Sequence, residues 1–297
     1  MGGDTRLVDG HGGPSVALRR GQPGRLRRRL RRTQAEKRTR HITEPHLCLL
    51  RAPSIARPFE PLGRELRVAT YNVHRWTAPN RRHPEPERAA QVIGELEADV
   101  VALQEVMRPH EGEDPLSVLA ERLGLHVTFA ATRFHKDGEL GNAILSRWPI
   151  ASVSMLDLSY SRLERRVAIA VQFQSEERVL DVVATHLALG DRTRHRQVRY
   201  LLDHPQVQRG PTILLGDMNA WRDCKATRAL DELDDHDNRA WPPSFPSARP
   251  VLALDRIYAR GARILDIGTH QSASARRASD HLPVVARIGL PLVSWQL

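Results

Sequence analysis

The sequence predicts an α/β (α+β) fold, a four-layer α/β/β/α sandwich in which two sheets pack face to face between outer helices. Two strand-rich halves, joined by short connections and lacking any fixed-period repeat, suit a two-sheet core. Several apolar runs stop abruptly at polar residues: Thr212-Ile213-Leu214-Leu215 ends in Gly216-Asp217-Met218-Asn219, and Val182-Val183-Ala184-Thr185 ends in His186. A buried strand has no reason to finish this way unless its carboxyl end serves something polar.

The pattern begins at Leu66. Residues 66–73 read as a strand, and 85–96 as an amphipathic helix with Ala89, Val92, Ile93 and Leu96 on one face. Residues 99–103 form a buried strand delivering Gln104-Glu105, and 116–123 a short helix. Strands follow at 126–130, 142–146, 150–158, 167–173 and 178–185. A polar-faced helix at 192–202, a buried strand at 212–215 and a helix at 225–233 come next. Beyond a Pro-rich loop, strands at 253–258 and 282–288 close the domain, which we bound at 66–290 with a short tail at 291–297.

Residues 1–65 lack either period, are rich in Gly and Pro, and carry an arginine block from Arg25 to Arg32. Such a segment is expected to be disordered. It reads as a solvated tail, a tether to nucleic acid or anionic membrane, or an arginine-rich transit segment. The formal net charge of +10 sits wholly in residues 1–67, which hold 16 Lys/Arg and 6 Asp/Glu. Residues 68–297 balance at 29 of each sign and give no global preference for polyanions. Cys48 and Cys224 supply neither a disulfide framework nor a zinc site, which fits a reducing, cytoplasmic setting. There is neither a secretory h-region nor a bilayer-length apolar run.

The polar strand ends suggest metal-assisted hydrolysis. Glu105 with Asn72 makes a sparse oxygen site suited to Mg²⁺, which keeps several waters; the alternative is a surface residue at an emerging strand. Asp217 and Asn219, two apart, can face one side and serve water and a phosphoryl oxygen, or form a simple Asx turn. Asp280 and His281 point apart, so one can approach a metal and the other the phosphate. Asp255, embedded in an apolar strand, is a candidate carboxylate to orient His281, with a salt bridge to an arginine as the alternative. His186 is either structural or catalytic; Arg165 and Arg166 are a phosphate clamp or a solvated edge; Asn142 is undecided.

In order, Thr70-Tyr71-Asn72-Val73-His74, Gln104-Glu105, Gly141 to Arg147, Thr185-His186-Leu187, Gly216-Asp217-Met218-Asn219, Asp255-Arg256-Ile257 and Ser279-Asp280-His281 closely resemble the endonuclease/exonuclease/phosphatase (DNase I-like) superfamily. The resemblance implies Mg²⁺- or Mn²⁺-dependent cleavage of phosphoesters. It places Asn72, Glu105 and Asp280 at the metal and Asp217 and Asn219 at the water and phosphate. Asp255 and His281 match the carboxylate–histidine dyad. Read from the residues themselves, Asn72, Asn142 and Arg166 are the candidate contacts to substrate phosphate. Histidine at 186 resembles the histidine-bearing branch and not the abasic-site nucleases. The expected reaction is in-line attack of water on a phosphodiester of nucleic acid or of a phospholipid head group, with no obligate protein partner and with anionic polymer or membrane contact through the tail. The competing readings are a catalytically silent member and a tail-driven binding module.

Overall fold

The computed structural model describes residues 15–16, 45–58, 60–233 and 240–291. In chain order the strands are β1 (Ser15–Val16), β2 (His46–Arg51), β3 (Glu65–Asn72), β4 (Val100–Pro109), β5 (His126–His135), β6 (Gly138–Ser146), β7 (Ser152–Asp157), β8 (Val167–Gln174), β9 (Val179–His186), β10 (Thr212–Asp217), β11 (Asp255–Arg260), β12 (Arg263–Thr269) and β13 (Val284–Gly289). The helices are α1 (Pro86–Glu95), α2 (Pro115–Leu123), α3 (Asp191–Leu202), α4 (Pro205–Gln208), α5 (Lys225–Asp231) and α6 (Ala275–Ala278).

The strands form a six-stranded sheet, β1-β7-β8-β9-β10-β11, and a seven-stranded sheet, β12-β13-β3-β4-β6-β5-β2. Val68, Val100, Ile144, Val182, Ile213 and Val284 fill the space between them. The helices α1 and α2 cover the outer face of the larger sheet through Ile93, Leu119 and Leu103, while α3 and α5 cover the smaller one through Val198, Leu230 and Leu214. This is the expected four-layer sandwich. It explains the unbroken apolar runs: in β10, Ile213 and Leu215 face the inner core and Leu214 the outer one, so every position is buried. Local signals agree at α2, where Asp114 accepts from the Leu116 N–H and Gly124 ends the helix at φ 62°.

Two expectations fail. β2 lies inside the stretch read as unstructured to residue 65, pairing antiparallel with β5 from His46↔Ala131 to Arg51↔Val127. Its short apolar centre, Leu47 to Leu50, packs on both cores of the larger sheet, and that partner lies some eighty positions away in sequence. The arginine block and the tail from 292 lie outside the described residues. Glu105 does not end its strand: β4 continues to Pro109, with a register shift between Leu103 and Val106. Among the described residues no helix is long and apolar enough to cross a membrane.

Candidate active site

Three strands of the smaller sheet end in register. Asp217 pairs with His186 of the parallel β9 and with Asp255 of the antiparallel β11, so three polar side chains stand along one edge. Gly216 permits this: it sits at φ 150°, and a Cβ there would lie 1.9 Å from the Thr185 carbonyl oxygen. From the larger sheet, Asn72 ends β3 and reaches across, its Nδ2 donating to Asp217 Oδ2 at 3.0 Å and lying 3.5 Å from Glu105 Oε1.

Asp217 Oδ2 is the hub. Besides Asn72, His186 Nε2 lies 3.4 Å and His281 Nε2 3.8 Å away, and the carboxylate is 2% exposed. The other oxygen accepts from the Asn219 N–H at 2.9 Å, an Asx turn made possible by Asn219 at φ 50°. The turn and the site are therefore one structure, not alternatives. Asn219 also donates its side-chain amide to the Leu187 carbonyl at 2.9 Å.

His281 donates from Nδ1 to Asp255 Oδ2 at 2.7 Å, and Ser244 donates to the same oxygen at 2.6 Å. Phe245 packs on the imidazole with centroids 4.9 Å apart. Burial opposes charge on His281, yet Asp255, Asp217 and Asp280 together lift it to about 10. Burial likewise pushes Asp217 up to about 6, against the pull of His281 and its hydrogen bonds. His186 moves the other way: burial, with Arg166 and His281 nearby, holds it well below the ordinary histidine value. Arg166 donates to His186 Nδ1 at 3.3 Å, which leaves the proton of the neutral ring on Nε2, facing Asp217.

The opposite side of Asn72 is half-exposed. Glu105, at φ 54°, turns out of the β4 irregularity, and Asp280 shares the Ser279 hydroxyl with the Asn72 backbone carbonyl. Between them runs a left-handed turn, His74, Arg75 and Trp76 at φ 44°, 56° and 62°, which sets His74 Nδ1 3.7 Å from Asp280 and Arg75 Nε 3.6 Å from Glu105. The donor set here is hard oxygen: two carboxylates, 22% and 32% exposed, beside an amide. That suits a small divalent cation that keeps waters. Asn72 Oδ1 accepts from the His74 N–H at 3.0 Å, so in this arrangement the amide braces Glu105 and Asp217 through Nδ2. Asp217, Asp255 and His281 also bring ligand atoms within 4.8 Å of one another. They are fully enclosed and already share a proton along Asp255–His281, which makes them a poorer cage.

Arg166 and Asn142, expected near phosphate, are held otherwise. Arg166 bonds His186 and Glu164, and Asn142 donates to the Val167 carbonyl at 3.1 Å, tying the two sheets together at 2% exposure. Asp280 and His281 do point apart, but on a bend ahead of β13. Sequence reasoning missed Ser244, the second partner of Asp255, and buried Arg194, which donates to the Leu189 and Asn219 carbonyls. It also missed that Cys48 meets His46 and Glu139 with ligand atoms within 4.8 Å. Burial, with Glu139 alongside, pushes that thiol up to about 12, away from the thiolate a metal needs.

The endonuclease/exonuclease/phosphatase family model matches residues 69–281, which span every residue of the cluster from Asn72 to His281. The chain belongs to that family. It is 30% identical over 245 residues to YbhP of Escherichia coli K12, an uncharacterised protein, covering 75% of this chain and 96% of that one. An endonuclease/exonuclease/phosphatase from Beutenbergia cavernae superimposes with a TM-score of 0.62 at 26% identity, over 77% of this chain and 72% of that one. The human Nocturnin catalytic domain gives 0.60 at 22% identity, over 78% and 97%. The family is one of metal-dependent phosphoesterases, and a hydrolase is its usual activity.

Proposed function

We propose that the protein hydrolyses phosphodiesters with Mg²⁺ or Mn²⁺ by in-line attack of water, as a member of the histidine-bearing branch. The convergence of Asn72, His186 and His281 on Asp217 Oδ2 carries this reading, because it leaves one buried carboxylate oxygen poised among donors beside an oxygen-ligand pair. Glu105 and Asp280, with Asn72, would hold the cation, which when bound polarises the phosphoryl group and offsets its charge.

Asp217 orients the water and accepts its proton at Oδ2 as the water oxygen bonds to phosphorus. His281, kept charged and fixed by Asp255 and Ser244, presents Nε2–H to the phosphoryl oxygens, and the free amide hydrogen of Asn219 adds a donor there, while His186 directs its Nε2–H at Asp217 and holds that carboxylate in place. The phosphorus–oxygen bond opposite the water breaks, and the departing alkoxide takes a proton from solvent. The enclosure of Asp217 and His281, 2% and 7% exposed, strengthens each of these interactions.

Hydrolysis of bis(4-nitrophenyl) phosphate tests the proposal. Turnover should vanish in excess EDTA and return with Mg²⁺ or Mn²⁺; turnover indifferent to chelation would refute it. Metal binding without hydrolysis of any diester would favour the silent-member reading.

A further inference from the structure

Resting on the hydrolase reading, we propose that the site opens onto a surface that docks on an anionic phospholipid bilayer, with a lipid diester as substrate. Seven large apolar side chains are exposed among the described residues, and five of them, Tyr160, Leu163, Leu189, Trp221 and Val251, belong to loops around this site. The strand register shows why they gather. Asp157 pairs with Val167, His186 with Asp217, and Asp217 with Asp255, so loops 158–166, 187–190, 218–224 and 240–254 all leave the edge of the smaller sheet that carries Asp217.

Cross-links hold these loops as one surface. Glu164 accepts from the Leu189 N–H at 3.0 Å, Arg194 bridges the Leu189 and Asn219 carbonyls, and the Met218 N–H donates to the Leu254 carbonyl at 2.8 Å. A cavity of about 430 Å³ lined by Leu189, Asp191, Arg194, Asn219, Trp221 and Arg222 connects the apolar rim to Asn219.

Charge favours the same partner. Loops 158–166, 187–190, 218–224 and 240–254 hold five Arg against two Asp or Glu, although residues 68–297 are neutral as a whole. The neutrality read from composition therefore hides a basic face, and it coincides with the apolar tips. Exposed arginines ringing protruding Leu, Trp and Tyr are the pattern of an interfacial surface: leucines enter the acyl boundary, the aromatic pair sits at head-group depth, and guanidinium groups meet lipid phosphate. A nucleic-acid track would use the arginines and Trp221 but has no use for Leu163, 90% exposed, or Leu189, 60% exposed, since neither stacks on a base nor pairs with phosphate.

The test is sedimentation of the full chain with phosphatidylglycerol–phosphatidylcholine vesicles in EDTA, so that no turnover occurs. Binding should exceed that to pure phosphatidylcholine and fall at least tenfold in Leu163→Ser/Leu189→Ser, while Ile55→Ser, at an exposed site on another loop, binds as wild type. Brominated lipid should quench tryptophan emission, and Trp221→Phe should abolish the quenching. Vesicle binding unchanged in the double leucine variant would mean that the arginine-rich leader alone holds the membrane, and would overturn the proposal. So would Trp221 quenching by single-stranded DNA with none by lipid. A protein that hydrolyses the soluble diester but ignores vesicles defeats docking alone; one that binds vesicles as expected but hydrolyses nothing defeats the hydrolase reading alone.

Discussion

At the Asp217 end of the site three strands finish in register and every side chain is enclosed, whereas the Glu105 end is made of distorted backbone and half-exposed carboxylates. The first end inherits its precision from regular pairing and pushes up both Asp217 and His281. The second obtains its geometry from non-glycine residues at positive φ, each costing about 1–3 kcal/mol elsewhere in the fold. A proton-handling group gains from burial, while a cation that keeps its waters gains from access, and the two constructions match those needs.

The largest effect should come from the enclosed end. Asp217→Asn preserves shape and the Asx acceptor, so diester turnover should fall by about 10³ while Tm holds. A matching loss of Tm would make Asp217 a structural residue. Glu105→Gly should separate function from stability at the other end: turnover falls about 10²-fold, yet chemical denaturation gives about 1 kcal/mol more stability as the φ 54° penalty disappears. Lost stability there would mean the turn is not strained.

Ser244→Ala tests the support beneath the dyad. Removing one donor to Asp255 should cost about 1 kcal/mol and lower kcat several-fold with KM unchanged; an unchanged kcat would show that Asp255 needs no second partner. The smallest effect concerns pH. His186 resists protonation in the fold but takes a proton near 6.5 when unfolded, so the unfolded state binds more protons below that value. This contribution to stability is present above pH 6.5 and is lost as pH falls, at up to about 1.4 kcal/mol per unit. The Tm–pH profile of His186→Gln should be flatter than wild type between pH 6.5 and 5.

The same contrast governs what could be read from the sequence. Asp217 and His186 were legible because continuous apolar runs that halt at a polar residue announce a buried strand with a working end, and Asp255 because it is an acid embedded in an apolar strand. Register then brings those ends together without further information. Glu105 was recognisable as an acid but not as a residue inside β4, since a bulge depends on the partner strand β6 and leaves no local mark. β2 and β12 escaped because edge strands need only half an apolar face and are defined by distant neighbours. Ser244 escaped for a similar reason: nothing in a Pro-rich loop points to a carboxylate eleven residues on.

The division of labour between the ends can be measured directly by calorimetric titration of Mn²⁺ into wild type, Glu105→Gln and Asp217→Asn. Wild type and Asp217→Asn should bind the ion with similar affinity, and Glu105→Gln should bind it at least tenfold more weakly. Binding lost in Asp217→Asn and kept in Glu105→Gln would put the cation in the enclosed cluster and contradict the account.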